Sequence, residues 1–69
     1  MEIEWFDGFK MKAVVINDEI LISANKEALL SLAKQLTVLA YGEPGNHIHY
    51  DVSNSLEDGS TEMIIERIQ

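Results

Sequence analysis

The stretch Ala24-Asn25-Lys26-Glu27-Ala28-Leu29-Leu30-Ser31-Leu32-Ala33-Lys34-Gln35-Leu36-Thr37-Val38-Leu39-Ala40-Tyr41-Gly42-Glu43-Pro44 reads as a helix with both ends marked. Asn25 is a good N-cap because its short side chain can accept from the free N–H groups of the first turn. Glu27 suits the positive end of the helix dipole, and Ala24 with Leu29 can form a small apolar staple. Gly42, with Pro44 beyond it, marks the stop. Leu29, Leu32, Ala33, Leu36, Leu39 and Ala40 recur at three- and four-residue spacing, which predicts a buried stripe over residues 26–41. Lys34 and Gln35 fall outside that stripe, and Leu30 and Val38 flank it. At about 1.5 Å per residue such a helix spans roughly 24 Å, enough to cross a sheet of four or five strands.

On the N-terminal side, residues 1–24 read as a three-stranded meander. Asp7-Gly8 is a strong hairpin dipeptide, since a type I′ turn needs positive φ at both central positions; Asn17-Asp18 is a weaker form of the same signal. With two-residue turns, Phe6 faces Phe9, Met11 faces Ala24, Ala13 faces Ile22 and Val15 faces Ile20. That register gathers Phe6, Phe9, Met11, Ala13, Val15, Ile20, Ile22 and Ala24 on one apolar face, which the helix should cover. Ile3, Trp5, Lys10, Lys12, Val14, Ile16, Glu19 and Leu21 fall on the other.

On the C-terminal side, residues 47–52 read as one strand, residues 60–68 as another, and residues 53–59 as the loop between them, with Asn54, Asp58 and Gly59 as turn formers. Ile48, Tyr50 and Val52 should join the core face with Met63 and Ile65, leaving Glu62, Ile64, Glu66 and Ile68 opposite. The order is βββαββ: an α+β domain spanning residues 1–69, whose mostly antiparallel small sheet carries one helix on one face, with residues 1–10 as an additional N-terminal strand.

Sixty-nine residues make a thin core. Chains below about 70–80 residues rarely gain more than about 3–5 kcal/mol from one core without a staple. No cysteine is present, so neither a disulfide nor a thiolate metal site can serve. That shortage, with Ile3, Trp5, Val14, Leu21 and Ile64 on the uncovered sheet face, gives the expectation of a homodimer through that face or a sheet edge. The opening segment Met1-Glu2-Ile3-Glu4-Trp5 lacks the basic start and apolar run of a secretory signal, and no apolar run approaches the length of a membrane span. A cytoplasmic protein is expected. Twelve acids against five bases give a formal charge of −7, which argues against nucleic acid or anionic membranes as partners and is compatible with a basic protein. The acids are uneven: Glu43, Asp51, Glu57, Asp58, Glu62 and Glu66 stand against Arg67 alone in the last third.

The chemistry-bearing residues concentrate in His47-Ile48-His49-Tyr50-Asp51. Alternation turns His47, His49 and Asp51 to one face and Ile48 and Tyr50 to the other. Two histidines two residues apart can converge on one ion, but His47 to Asp51 spans about 13 Å and a straight strand cannot wrap a metal. A third ligand would have to come from Glu62 or Glu66 next door. Ser53, Ser55 and Ser60 offer nucleophiles without a strained nucleophile turn or oxyanion donors, and no phosphate-cradling glycine loop is present. No enzyme activity and no cofactor are expected. The binding reading takes His47, His49, Asp51, Glu57, Asp58, Ser60 and Glu62 as an exposed polar surface for a partner. The plainer reading has the histidines hydrogen-bonded to Glu62 or Glu66 across the sheet.

Ile20-Leu21-Ile22-Ser23-Ala24-Asn25-Lys26-Glu27-Ala28-Leu29, Pro44-Gly45-Asn46-His47-Ile48-His49-Tyr50-Asp51, Ser55-Leu56-Glu57-Asp58-Gly59-Ser60 and Glu62-Met63-Ile64-Ile65-Glu66-Arg67-Ile68 occur in an order and at spacings that resemble the immunity protein 32 family of bacterial polymorphic toxin systems. The resemblance runs from about residue 11 to 68. It implies a small α+β protein that binds and neutralises a cognate toxin, by occlusion and without chemistry of its own. His47, His49 and Asp51 fall on the family's His-x-His strand; Glu57, Asp58 and Ser60 fall on its loop and strand start. Two other readings are a homodimeric regulatory or accessory subunit and a histidine-ligated metal protein.

Overall fold

The computed structural model describes residues 3–69 and arranges them in the order ββαββ. The elements are β1 (Met11–Ile16), β2 (Glu19–Ala24), α1 (Lys26–Ala40), β3 (His47–Tyr50) and β4 (Met63–Glu66). The α+β class holds, but the sheet is two antiparallel pairs, β1–β2 and β3–β4. The β1–β2 register is the expected one: Met11 opposes Ala24, Ala13 opposes Ile22 and Val15 opposes Ile20. In the second pair His47 opposes Glu66 and Tyr50 opposes Met63.

The expected first strand does not form. Met1 and Glu2 lie outside the described residues, and residues 3–10 form no strand. The reason lies in the turns. At Asp7-Gly8 only Gly8 has positive φ, at +83°, and Phe9 N–H donates to the Phe6 carbonyl at 3.2 Å. One positive φ at the third turn position is the type II pattern, whose twist splays flanking strands instead of pairing them. Asn17 and Asp18 both take positive φ, at 50° and 64°, and close the β1–β2 hairpin as a type I′ turn. The dipeptide with the weaker signal makes the hairpin.

The β1 edge that the extra strand would have used is taken from the other side. Glu57 N–H donates to the Met11 carbonyl at 2.9 Å and Thr61 N–H to the Ala13 carbonyl at 2.7 Å. Ala13 N–H donates to Ser60 Oγ at 3.2 Å. Residues 57–61 thereby stitch the two strand pairs together, and β4 starts later than expected, at Met63. β3 likewise ends at Tyr50, because Asp51 begins a run of turns.

The N-terminal segment lies along α1 instead. Phe6 N–H donates to Ser31 Oγ at 2.9 Å, and Gln35 Nε2 donates to the Glu4 carbonyl at 2.9 Å. Trp5 stacks on Phe9 at 4.3 Å and meets Tyr50 edge-on at 6.1 Å, so Ile3 and Trp5 pack against the core and are not on the open face. This docking also rotates the helix. Its buried residues are Ala28, Ser31, Gln35 and Leu39, with Leu32 half-buried. Leu29, Ala33, Leu36 and Ala40 of the expected stripe are exposed, about a quarter turn away. The core is Met11, Ala13, Ala28, Leu39, Ile48, Tyr50 and Leu56. Val15, Ile20 and Ile22, expected under the helix, are exposed.

Asn25 carries out the capping read from the sequence, and more. Its Oδ1 accepts from Ala28 N–H and from Lys10 N–H, both at 3.0 Å, while Nδ2 donates to the Gly8 carbonyl at 2.8 Å. One side chain starts the helix and fixes the entry to β1.

Candidate functional site

The face of β3–β4 turned away from the core is built by alternation. Ile48 and Tyr50 are buried, so His47 and His49 point outward. Met63 and Ile65 are half-buried, so Ile64 and Glu66 point outward too. The register sets Glu66 across from His47 and Ile64 across from His49. Continued by one step, it sets Glu62 beside Asp51. His49, Asp51, Glu62 and Ile64 line one shallow depression together with Tyr50 and Met63.

The two imidazoles meet edge to face, with centroids 4.9 Å apart. His47 Nδ1 is 3.0 Å from the Gly45 carbonyl. A carbonyl can only accept, so that nitrogen carries the proton and Nε2 faces away from the bond. Asp51 is committed to its own loop: Oδ1 accepts from Ser53 Oγ at 2.7 Å, Ser53 N–H at 2.9 Å and Asn54 N–H at 3.1 Å. The Ser53 hydroxyl bond is the main reason its carboxyl lies below the ordinary aspartate range; the two backbone donors and the nearby His49 act in the same sense. Asn54 holds the strand end as well, with Nδ2 donating to the His49 carbonyl at 2.8 Å.

The seven sequence-predicted contact residues therefore separate into two groups. His47, His49, Asp51 and Glu62 come together on the β3–β4 face. Glu57, Asp58 and Ser60 lie on the segment that runs along β1. Ser60 spends its hydroxyl on Ala13 N–H, and Glu57 lines a second depression with Lys10 and Lys12. Ile64 and Glu66 belong to the first group and were missed as contact residues. Their signal was the period-two pattern of the last strand, which leaves Ile64 59% exposed between two glutamates. Among the described residues no group of three or more His, Cys, Asp or Glu side chains is placed to hold a metal ion. The face offers two imidazoles, two carboxylates free of the loop and one central apolar side chain. It can make contacts and ion pairs with a partner.

Arg67 is the other residue the sequence left without a role. Its Nη1 donates to the Gly42 carbonyl at 2.6 Å, its N–H to the Asn46 carbonyl and its carbonyl accepts from Gly45 N–H. A guanidinium at the C-terminal end of α1 is stabilised by the negative end of the dipole. The one base of the acidic third is thus used within the fold, and the β3–β4 face keeps its negative character.

No helix among the described residues is long and apolar enough to cross a membrane. A comparison with curated proteins finds no match, and one with solved structures finds none either. The sequence profile of one family, described as Immunity protein 32, matches residues 19–68. It starts at the first residue of β2, later than the resemblance at residue 11 indicated, and covers β2, α1, β3 and β4. With most of its length and four of its five elements inside that match, the chain belongs to the Immunity protein 32 family.

Proposed function

We propose that this protein neutralises a cognate bacterial toxin by binding it through the outward face of β3–β4 and covering its active site or substrate groove. The observation that carries the reading is a polar strand face within the family-matched region: His47, His49, Glu62 and Glu66 surround the exposed Ile64. A central apolar anchor ringed by polar groups is the usual anatomy of an energetically focused interface. The acidic ring suits a basic toxin surface, with opposite potentials raising the encounter rate. Asp51 positions the β3 end instead of pairing with the toxin, and Glu57 and Asp58 form an acidic flank. The chain supplies occlusion and does no chemistry, and it works where the toxin would otherwise harm its producer, in the cytoplasm.

The test is binding to, and protection against, a candidate toxin domain, sought first in the neighbouring open reading frame. Ile64→Ala and the pair Glu62→Lys/Glu66→Lys should each weaken binding by about tenfold or more and reduce protection, with melting temperatures held. His47→Ala/His49→Ala should weaken it less. Unchanged affinity in the first two variants would remove this face from consideration.

A further inference from the structure

Among the described residues β2 pairs with β1 alone, which leaves its outer edge open. Glu19–Ala24 carries no proline and no charged residue after Glu19, and its central Ile20, Leu21 and Ile22 are all substantially exposed. Folded proteins normally protect such an edge with lysine, proline or a bulge, because its free N–H and C=O groups template pairing with another strand. Val15, opposite Ile20, is exposed as well, and so are Leu29 and Leu36 on α1, which lie around the helix from the Ser31 and Gln35 that hold the N-terminal segment.

Charge says what covers this edge. Residues 10–42 hold Lys10, Lys12, Lys26 and Lys34 against Asp18, Glu19 and Glu27, whereas residues 43–69 hold six acids against Arg67 alone. A basic partner is drawn to the β3–β4 face, not here. A second copy of an acidic chain, by contrast, needs a nearly neutral surface on which to meet itself. The strand is also self-complementary: acids stand at its start, Asp18 and Glu19, and a base stands just past its end, Lys26. A two-fold antiparallel pairing centred near Leu21 and Ile22 brings the Glu19 end of each strand to the Lys26 end of the other, so both attractions are made twice.

We infer that two copies of this chain associate through antiparallel β2–β2 pairing, joining their hairpins into one four-stranded sheet and burying Ile20 and Ile22 with the Leu29 flank of α1. The pairing leaves both β3–β4 faces outward. It does not depend on the toxin reading.

Sedimentation or light scattering over a wide concentration range gives the mass, with circular dichroism confirming that each variant is folded. The wild-type chain should weigh as a dimer. Ile22→Lys should raise the dimer dissociation constant about tenfold or more. Glu19→Lys and Lys26→Glu should each raise it several-fold, because each turns both symmetric contacts repulsive. An equimolar mixture of those two variants should recover the dimer as a heterodimer, since both contacts become attractive again. A wild-type monomer at every concentration overturns the inference. So does a dimer that resists all three substitutions, or a mixture that stays monomeric.

Discussion

At the scale of single residues, the informative side chains are polar ones in the core. Tyr50 is fully buried, and its hydroxyl donates to Gln35 Oε1 at 2.8 Å; Gln35 then donates to the Glu4 carbonyl. Burial pushes the Tyr50 phenol above its ordinary range, so it stays a donor. The chain of bonds ties β3, α1 and the N-terminal segment at one point. Tyr50→Phe leaves the Gln35 oxygen without its donor, and should cost about 1–3 kcal/mol in denaturant unfolding. Gln35→Leu should cost a similar amount, and the double variant less than the sum; full additivity would mean the two do not act together. Asp51 supplies the pH dependence. Its carboxyl is lowered in the fold chiefly by the Ser53 hydroxyl, so its contribution is whole above the ordinary aspartate range and fades as pH falls through the lowered value. Amide resonances of Ser53 and Asn54 should report that loosening at acid pH, and Asp51→Ala should show the loosened loop at neutral pH.

At the scale of elements, α1 shows how a helix can be right in extent and turned in orientation. Its N-cap lies where the residues put it, and Asn25→Ala should cost about 2 kcal/mol or more, because the helix cap and the anchor of Lys10 are lost together. The apolar stripe points only partly inward. Leu29 and Leu36 contribute little to the monomer's core, so Leu29→Glu and Leu36→Glu should change monomer stability by about 0.5 kcal/mol or less when measured at high dilution. Leu39→Ala, at a buried position, should cost about 2–5 kcal/mol. Equal losses at the three positions would contradict this orientation of α1. The two turns make the same point about strands. Asp7-Gly8 has the better hairpin composition, yet Asn17-Asp18 holds the I′ geometry, because β2 is there to pair and no edge of β1 is free for residues 3–6.

At the scale of the whole molecule, segment 57–61 makes one structure of two hairpins, and charge divides it into two ends. Ser60→Ala leaves Ala13 N–H without its acceptor and should loosen this junction, seen as faster amide exchange at Ala13 and Thr61. The charge division predicts that association with the proposed toxin partner slows steeply with added salt, while the proposed β2–β2 pairing, centred on apolar strands, responds weakly. Local signals sufficed for the β1–β2 register, the reach and cap of α1, the outward turn of His47 and His49, and the acidity of the last third. Each depends on neighbours in sequence or on a period of two. The path of residues 3–10, the rotation of α1, the part of Ser60 and Arg67 in holding the fold, and the split of the contact residues into two groups followed only from the tertiary structure. They depend on which segment wins β1's second edge and on where buried N–H, C=O and hydroxyl groups find partners. Those contests are between residues far apart in the chain, and hydrophobic periodicity carries no record of them.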